Sequence, residues 1–421
     1  MSEKISINTD RLLGTIAETA RLGGLPNGGV ARLTLSPDDR RVRDWLREQC
    51  AGLGLEVVVD EVGNMFATRP GLEAGTLPIA MGSHLDTQPT GGKYDGILGV
   101  LGALEVLRTL HEAGVTTHAP LTLVNWTNEE GSRFSPAMLG SGVYAGVYTP
   151  DYAYGRKDVR GESFGDALDG IGYRGDVAAS AVPLGAMFEL HIEQGPILEA
   201  EGAVIGVVQG VQGLNWYEVE LTGAAAHTGS TPMPMRRNAL LAAARIVESV
   251  NGVALANAPH AVGSVGFIEA HPNSNNVIPG FVRLTIDLRH PDDAVLARMA
   301  AAVEKAIGEA AASAGVDAEY RKVAQTAAVA FDPQCIESVR EAASAAGLAS
   351  RDIVSGAGHD SVHLAGVVPT TMIFVPSAGG LSHNEAEFTS PQECAAGVQV
   401  LLDAVLAYDR RTAANRSGNR A

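Results

Sequence analysis

The residues of this chain best suited to chemistry are imidazoles and carboxylates that follow short apolar runs. The run Pro78 to Gly82 reads as a strand leading to His84 and Asp86, an H-x-D pair at the C-terminal end, where open α/β sheets place their ligands. A metal-bound His commonly gives its second ring N–H to a carboxylate, and Asp86 is spaced to do this for His84; by itself the pair is as readily a structural feature. Asp95 sits in Gly91-Gly92-Lys93-Tyr94-Asp95-Gly96, ahead of an apolar helical segment. It reads either as that helix's N-cap or as a carboxylate able to bridge two cations. Glu129 and Glu130 directly follow the apolar strand Leu121 to Trp126, so they are expected at the same sheet edge as His84. Paired carboxylates there suit a division of labour, one holding a cation and the other accepting a proton. His191 ends a further strand, and His383 follows the strand Thr371 to Val375 through a loop of small residues that can approach a site closely. Imidazole plus carboxylate without thiolate favours zinc, or manganese or cobalt. The competing metal pair is His359 with His363, spaced i, i+4 but lacking the glutamate after His359 that the zincin motif requires.

Positioning these groups calls for a sheet whose strands end at one edge. From Pro37 to Trp126 the pattern alternates helix and strand: a helix at Asp38 to Cys50, strands at Glu56 to Asp60, Met65 to Thr68 and Pro78 to Gly82, a buried helix at Gly96 to Leu110, and the strand Leu121 to Trp126. That alternation predicts an α/β layer fold. Between Asn215 and Thr326 the order becomes strand (217–221), helix (235–250), strand (262–268), strand (281–289), helix (294–312), strand (319–323), a β-α-β-β-α-β ferredoxin-like unit. The α/β pattern then resumes with a helix at Gln334 to Ala346, a strand at Thr371 to Val375 and a helix at Pro391 to Ala407, so the middle section reads as an insertion. The expected boundaries are a catalytic domain over 1–213 and 329–421 with an inserted domain over 214–328. The arginine-bearing tail after Tyr408 is expected to be a disordered end.

Composition narrows the function classes. At 421 residues with 46% hydrophobic and 19% charged residues the chain is globular and enzyme-sized. Its net charge of −17 disfavours nucleic acid and anionic lipid as partners. Three scattered cysteines form neither a disulfide framework nor a thiolate cage, and no apolar h-region opens the chain, so a cytoplasmic protein is expected.

Seven segments in order carry a resemblance: Gly82-Ser83-His84-Leu85-Asp86-Thr87, the Gly91 to Gly96 loop, Asn128-Glu129-Glu130-Gly131-Ser132-Arg133-Phe134, His191-Ile192-Glu193-Gln194-Gly195-Pro196, Ala226-His227-Thr228-Gly229-Ser230-Thr231-Pro232-Met233, Asn276-Val277-Ile278-Pro279-Gly280 and Gly356-Ala357-Gly358-His359-Asp360. Together they resemble the amidase, hydantoinase and carbamoylase branch of the dinuclear zinc aminoacylase and carboxypeptidase family. The resemblance implies a zinc-aminopeptidase-like catalytic domain with an inserted ferredoxin-like lid that dimerises. It implies that Asp95 bridges two divalent ions, zinc first and manganese or cobalt as alternatives, one also held by His84 and His191, the other by Glu130 and His383. Glu129 would be the general base, and Gln194, His227, Asn276 and Arg289 would contact substrate, with His227 supplied by the partner of a homodimer. The strand alternation independently turns Arg289 away from the core, where a guanidinium can grip a carboxylate bidentately. The implied activity is hydrolysis of the ureido C–N bond of an N-carbamoyl amino acid, a small molecule, to amino acid, carbon dioxide and ammonia. Alternatives are N-carbamoyl-β-alanine as in a β-ureidopropionase, allantoate, or a dipeptide or N-acyl amino acid. Asn384-Glu385, where some relatives have Asn-Pro, is the departure that bears on the His383 loop.

Overall fold

The computed structural model describes residues 5–418. The chain forms two compact units: one runs to Gln209 and resumes at Ala330, the other spans Gly210–Val329.

The first unit is built on a nine-stranded sheet whose centre is parallel. Leu121–Trp126, Ile79–His84, Ala186–Ile192 and Thr370–Val375 lie side by side in one direction, with His84 opposite Trp126 and Phe374 opposite His191. All are buried along their length, as parallel strands covered on both faces must be. The helix Ile97–Glu112 is buried almost throughout. The long helix Pro391–Gly418 lies against both Ile97–Glu112 and Pro333–Ala345.

The parallel strands therefore end at a common edge, which is the geometric fact the site depends on. Two glycines make the close packing there feasible. A methyl group on Gly82 would stand 2.0 Å from the Val124 carbonyl oxygen, and one on Gly96, whose φ is +66°, would stand 2.2 Å from the His84 ring.

In the second unit an antiparallel sheet runs in the order Asp317–Thr326, Gly213–Thr222, Phe281–His290, Val262–His271. With helices Ala239–Ala256 and Asp293–Ala314 between the strands, this is a ferredoxin-like arrangement. Alternate residues Val282, Leu284, Ile286 and Leu288 are buried against Ile246, Val250, Met299 and Val303, each contributing about 1.5–3 kcal/mol. Helix Ala239–Ala256 is long and apolar enough to cross a membrane by length and composition; it carries Arg245 and Glu248, and its Ala242, Ile246 and Val250 lie in this core.

Several elements differ from the sequence expectation. The strands Ile205–Val211 and Ser350–Ser355 and the helix Thr9–Thr19 are not among the expected elements: the first is an apolar run interrupted by Gly206 and Gly210, and the other two are largely polar. The tail is not a disordered end through residue 418. It continues the last helix, with Arg411 bonded to the Gln334 carbonyl and the Ser338 hydroxyl, and Arg416 paired with Glu73. Residues 419–421 of that tail lie outside the described residues.

Candidate metal centre

The common strand edge gathers the expected ligands into two groups sharing one carboxylate. His84, Asp95 and His191 form one, Asp95, Glu130 and His383 the other, and within each group the ligand atoms lie within 4.8 Å of one another. Asp95 faces both: its Oδ1 is 3.1 Å from His191 Nε2 and 3.8 Å from His84 Nε2, and its Oδ2 is 3.5 Å from His383 Nε2. His383 Nε2 is also 3.4 Å from Glu130 Oε2. The first group is buried, whereas His383 is half exposed, so the site opens on its side.

The ring tautomers follow from the backbone. Nδ1–H of His84 donates to the Asp86 carbonyl and Nδ1–H of His191 to the Ile192 carbonyl, each at 2.9 Å. A carbonyl can only accept, so Nδ1 carries a hydrogen in both rings, and Nε2 is the atom each neutral ring has left to ligate with. His84 Nε2 is buried with no hydrogen-bond partner. Imidazole lone pairs and carboxylates converging on one point fit a divalent cation, and nitrogen and oxygen donors without sulfur fit zinc or manganese. The electrostatics show how strongly the carboxylates act here. Although burial opposes its charged form, the Asp95 hydrogen bond and charge hold His191 up at about 9; burial pulls His84 down to about 4. Glu129 and Glu130 are both pushed well above the ordinary carboxylate range, first by burial and then by neighbouring carboxylates, Asp360 foremost for Glu129 and Asp95 for Glu130. Such crowding of acids marks a place built for positive charge.

Glu129 stands beside the first group, its Oε2 3.5 Å from His84 Nε2. The sequence expectation for Asp86 needs correction. Its backbone carbonyl sets the His84 tautomer, while its carboxylate lies 3.8 Å from Nδ1 and instead accepts the backbone N–H groups of Glu129 and Glu130, each at 3.3 Å. It thereby fixes the turn that carries both glutamates. Asp95 is not a helix cap either: the helix begins after Gly96, with no side-chain cap. His359 and His363 do not converge. His359 packs edge-on to His191 with its Nε2 at the Ser355 hydroxyl, and His363 packs against Tyr148.

Gln194, at a positive φ of 58°, donates from Nε2 to Asp95 Oδ2 at 2.9 Å, and its Oε1 is buried without a partner. The remaining expected substrate contacts belong to the second unit. His227 Nδ1 accepts the N–H groups of Gly229 and Ser230, which leaves Nε2–H as an outward donor. Asn276 is next to it through the pairing of Val277 with His227. Arg289 grips Asp287, Nε and Nη2 lying 3.1 and 2.8 Å from the two carboxylate oxygens. Eight residues of extended strand, roughly 27 Å, separate Arg289 from Phe281, and His227 and Asn276 leave the sheet at that Phe281 end. Two residues the sequence did not single out, Ser382 and Glu387, lie against Asp95; nothing in their local pattern distinguishes them. Glu385 is anchored by Asn27 at 2.8 Å, and Asn384 Oδ1 accepts the Ala386 N–H, so this departure carries its own supports.

Comparison with known proteins bears on the same site. The model of peptidase family M20/M25/M40 matches residues 80–407, the stretch that contains both ligand groups, Glu129 and the expected substrate contacts. The chain belongs to that family. Among M20 relatives, an N-carbamoyl-L-amino-acid amidohydrolase of Rhizobium meliloti is 52% identical over 404 residues, covering 96% of this chain and 97% of that one. Another of that name from Geobacillus stearothermophilus is 36% identical, covering 95% and 98%. The crystal structure of an amidase of the hydantoinase/carbamoylase family from Burkholderia multivorans superposes with a TM-score of 0.95 at 51% identity, covering 96% of this chain and 99% of that one. Within the M20 fold, the two ligand groups make this chain a metal-dependent hydrolase.

Proposed function

We propose that the protein hydrolyses the carbamoyl C–N bond of N-carbamoyl amino acids, releasing the amino acid, carbon dioxide and ammonia. The observation that carries this reading is Asp95 set between two ligand groups with Glu129 beside them, in a chain half identical to a carbamoyl-amino-acid amidohydrolase along nearly its full length. His84, Asp95 and His191 would hold one divalent ion, and Asp95, Glu130 and His383 the other, zinc being the first choice and manganese or cobalt the alternatives. When bound, such ions supply Lewis-acid polarisation and acidify water.

The chain's own residues do the rest. Glu129, its Oε2 beside the first ligand group, accepts a proton from the attacking water and returns it to the leaving nitrogen. Gln194 Oε1 offers an acceptor for a ureido N–H. His227 Nε2–H donates to the oxygen that gains charge, and Arg289 with Asn276 holds the substrate carboxylate. Arg289 and His227 lie at opposite ends of one sheet, so a single copy of the Gly210–Val329 unit does not bring both to one small molecule. That separation supports a homodimer in which His227 and Arg289 at a given site come from different copies, with this unit acting as dimerisation and lid domain.

The test is a substrate panel of N-carbamoyl-L-amino acids, N-carbamoyl-β-alanine, allantoate and a dipeptide, each assayed with zinc, manganese or cobalt. Turnover of N-carbamoyl-L-amino acids above the others is expected. Turnover of the dipeptide alone would overturn the reading.

A further inference from the structure

Glu387 is buried on the loop that carries His383, yet it belongs to neither ligand group. A buried carboxyl is costly unless its oxygens are engaged, and here the engagements lead to Asp95. Oε1 accepts the backbone N–H groups of Tyr94 and Asp95, both at 3.1 Å. Oε2 lies 3.3 Å from the Ser382 hydroxyl, which is itself 2.8 Å from Asp95 Oδ2 and accepts Gln194 Nε2 at 3.0 Å. One hydroxyl proton serves one acceptor, and the shorter contact gives it to Asp95. The glycine loop is shaped around the carboxyl: a methyl on Gly92 would stand 2.0 Å from Glu387 Oε1.

We infer that Glu387 is a positioning residue that sets the Asp95 carboxylate between the two ligand groups by holding the Asp95 backbone N–H directly, while Ser382 beside it gives its proton to Oδ2. Because Glu387 and His383 share a loop, the same side chain ties the bridging carboxylate to the more exposed ligand. The inference rests on the reading that divalent ions bind between these groups.

The test uses the full chain freed of metal by chelation and titrated with zinc against a competing chelator, alongside thermal melts of the metal-free proteins. Outer residues that orient ligands typically contribute about 10–100-fold in metal affinity. E387A is expected to lose affinity in that range while its metal-free melt stays close to that of the wild type. E387Q, which keeps the volume and the Oε1 acceptor, is expected to regain most of the affinity. S382A, which leaves the grip on the backbone, should show a smaller loss. Wild-type affinity in E387A overturns the assignment. So does an affinity loss in E387A that comes with a lowered metal-free melt and is not regained in E387Q, since that marks Glu387 as a loop staple alone. A wild-type chain that takes up no zinc is a separate result, and overturns the metal-centre reading itself.

Discussion

In the unit that holds Asp95, the parallel strands run out at one edge, so residues far apart in sequence meet there: His84 at the end of one strand, Glu130 after its neighbour, His191 near the end of the next and His383 after the one beyond. In the Gly210–Val329 unit the strands are antiparallel, and the residues expected to touch substrate fall at opposite ends, Arg289 at one and His227 with Asn276 at the other. A parallel sheet collects chemistry at one rim by topology alone. An antiparallel sheet distributes it, so on the proposed reading its two ends meet one substrate only through a second copy. The metal centre should accordingly be complete within one chain, and the substrate site only within a dimer.

The strongest attack on this contrast is Asp95→Ala, which removes the carboxylate common to both ligand groups. It is expected to abolish turnover and to take bound metal from about two ions per chain to fewer than one, as measured by elemental analysis of the purified protein. Glu129→Gln comes next: metal content should hold while kcat falls about 10²–10⁴-fold, the usual contribution of a positioned acid–base group. His227→Ala should leave metal content untouched and lower kcat by about 10²–10³-fold, as loss of one donor to a developing oxyanion does. Arg289→Lys keeps the charge but not the fork. Hydrogen bonds to charged groups are worth about 1.5–3 kcal/mol, so KM for the N-carbamoyl amino acid should rise roughly tenfold or more with little change in kcat. The mildest test is Ile286→Val in the second unit's core, expected to cost about 0.5–1.5 kcal/mol in a denaturant melt while metal binding in the other unit is unchanged.

Much of the metal centre was legible because its ligands follow uninterrupted apolar runs. Pro78 to Gly82 could hardly be anything but a buried strand, and a buried parallel strand announces where its last residues go. What escaped was set by tertiary contact. Whether Asp86 uses its carboxylate or its carbonyl on His84 depends on where the Glu129-Glu130 backbone passes, which no spacing reveals. Glu387 meets Asp95 across nearly the whole chain, and its own neighbourhood, Asn384 to Phe388, is an exposed-looking polar loop. The tail looked disordered by composition and is helical because Arg411 finds Gln334 and Ser338. In the second unit the alternation of Phe281–His290 was plain, and so was the side on which Arg289 emerges.

The most direct measurement mixes two inactive proteins, Glu129→Gln and His227→Ala, under conditions of subunit exchange, and assays the verified heterodimer on an N-carbamoyl-L-amino acid. If His227 crosses between copies, one of the two sites holds both wild-type residues, and activity is expected to return. Persistent inactivity in the heterodimer would contradict the account, placing Glu129 and His227 in the site of a single chain.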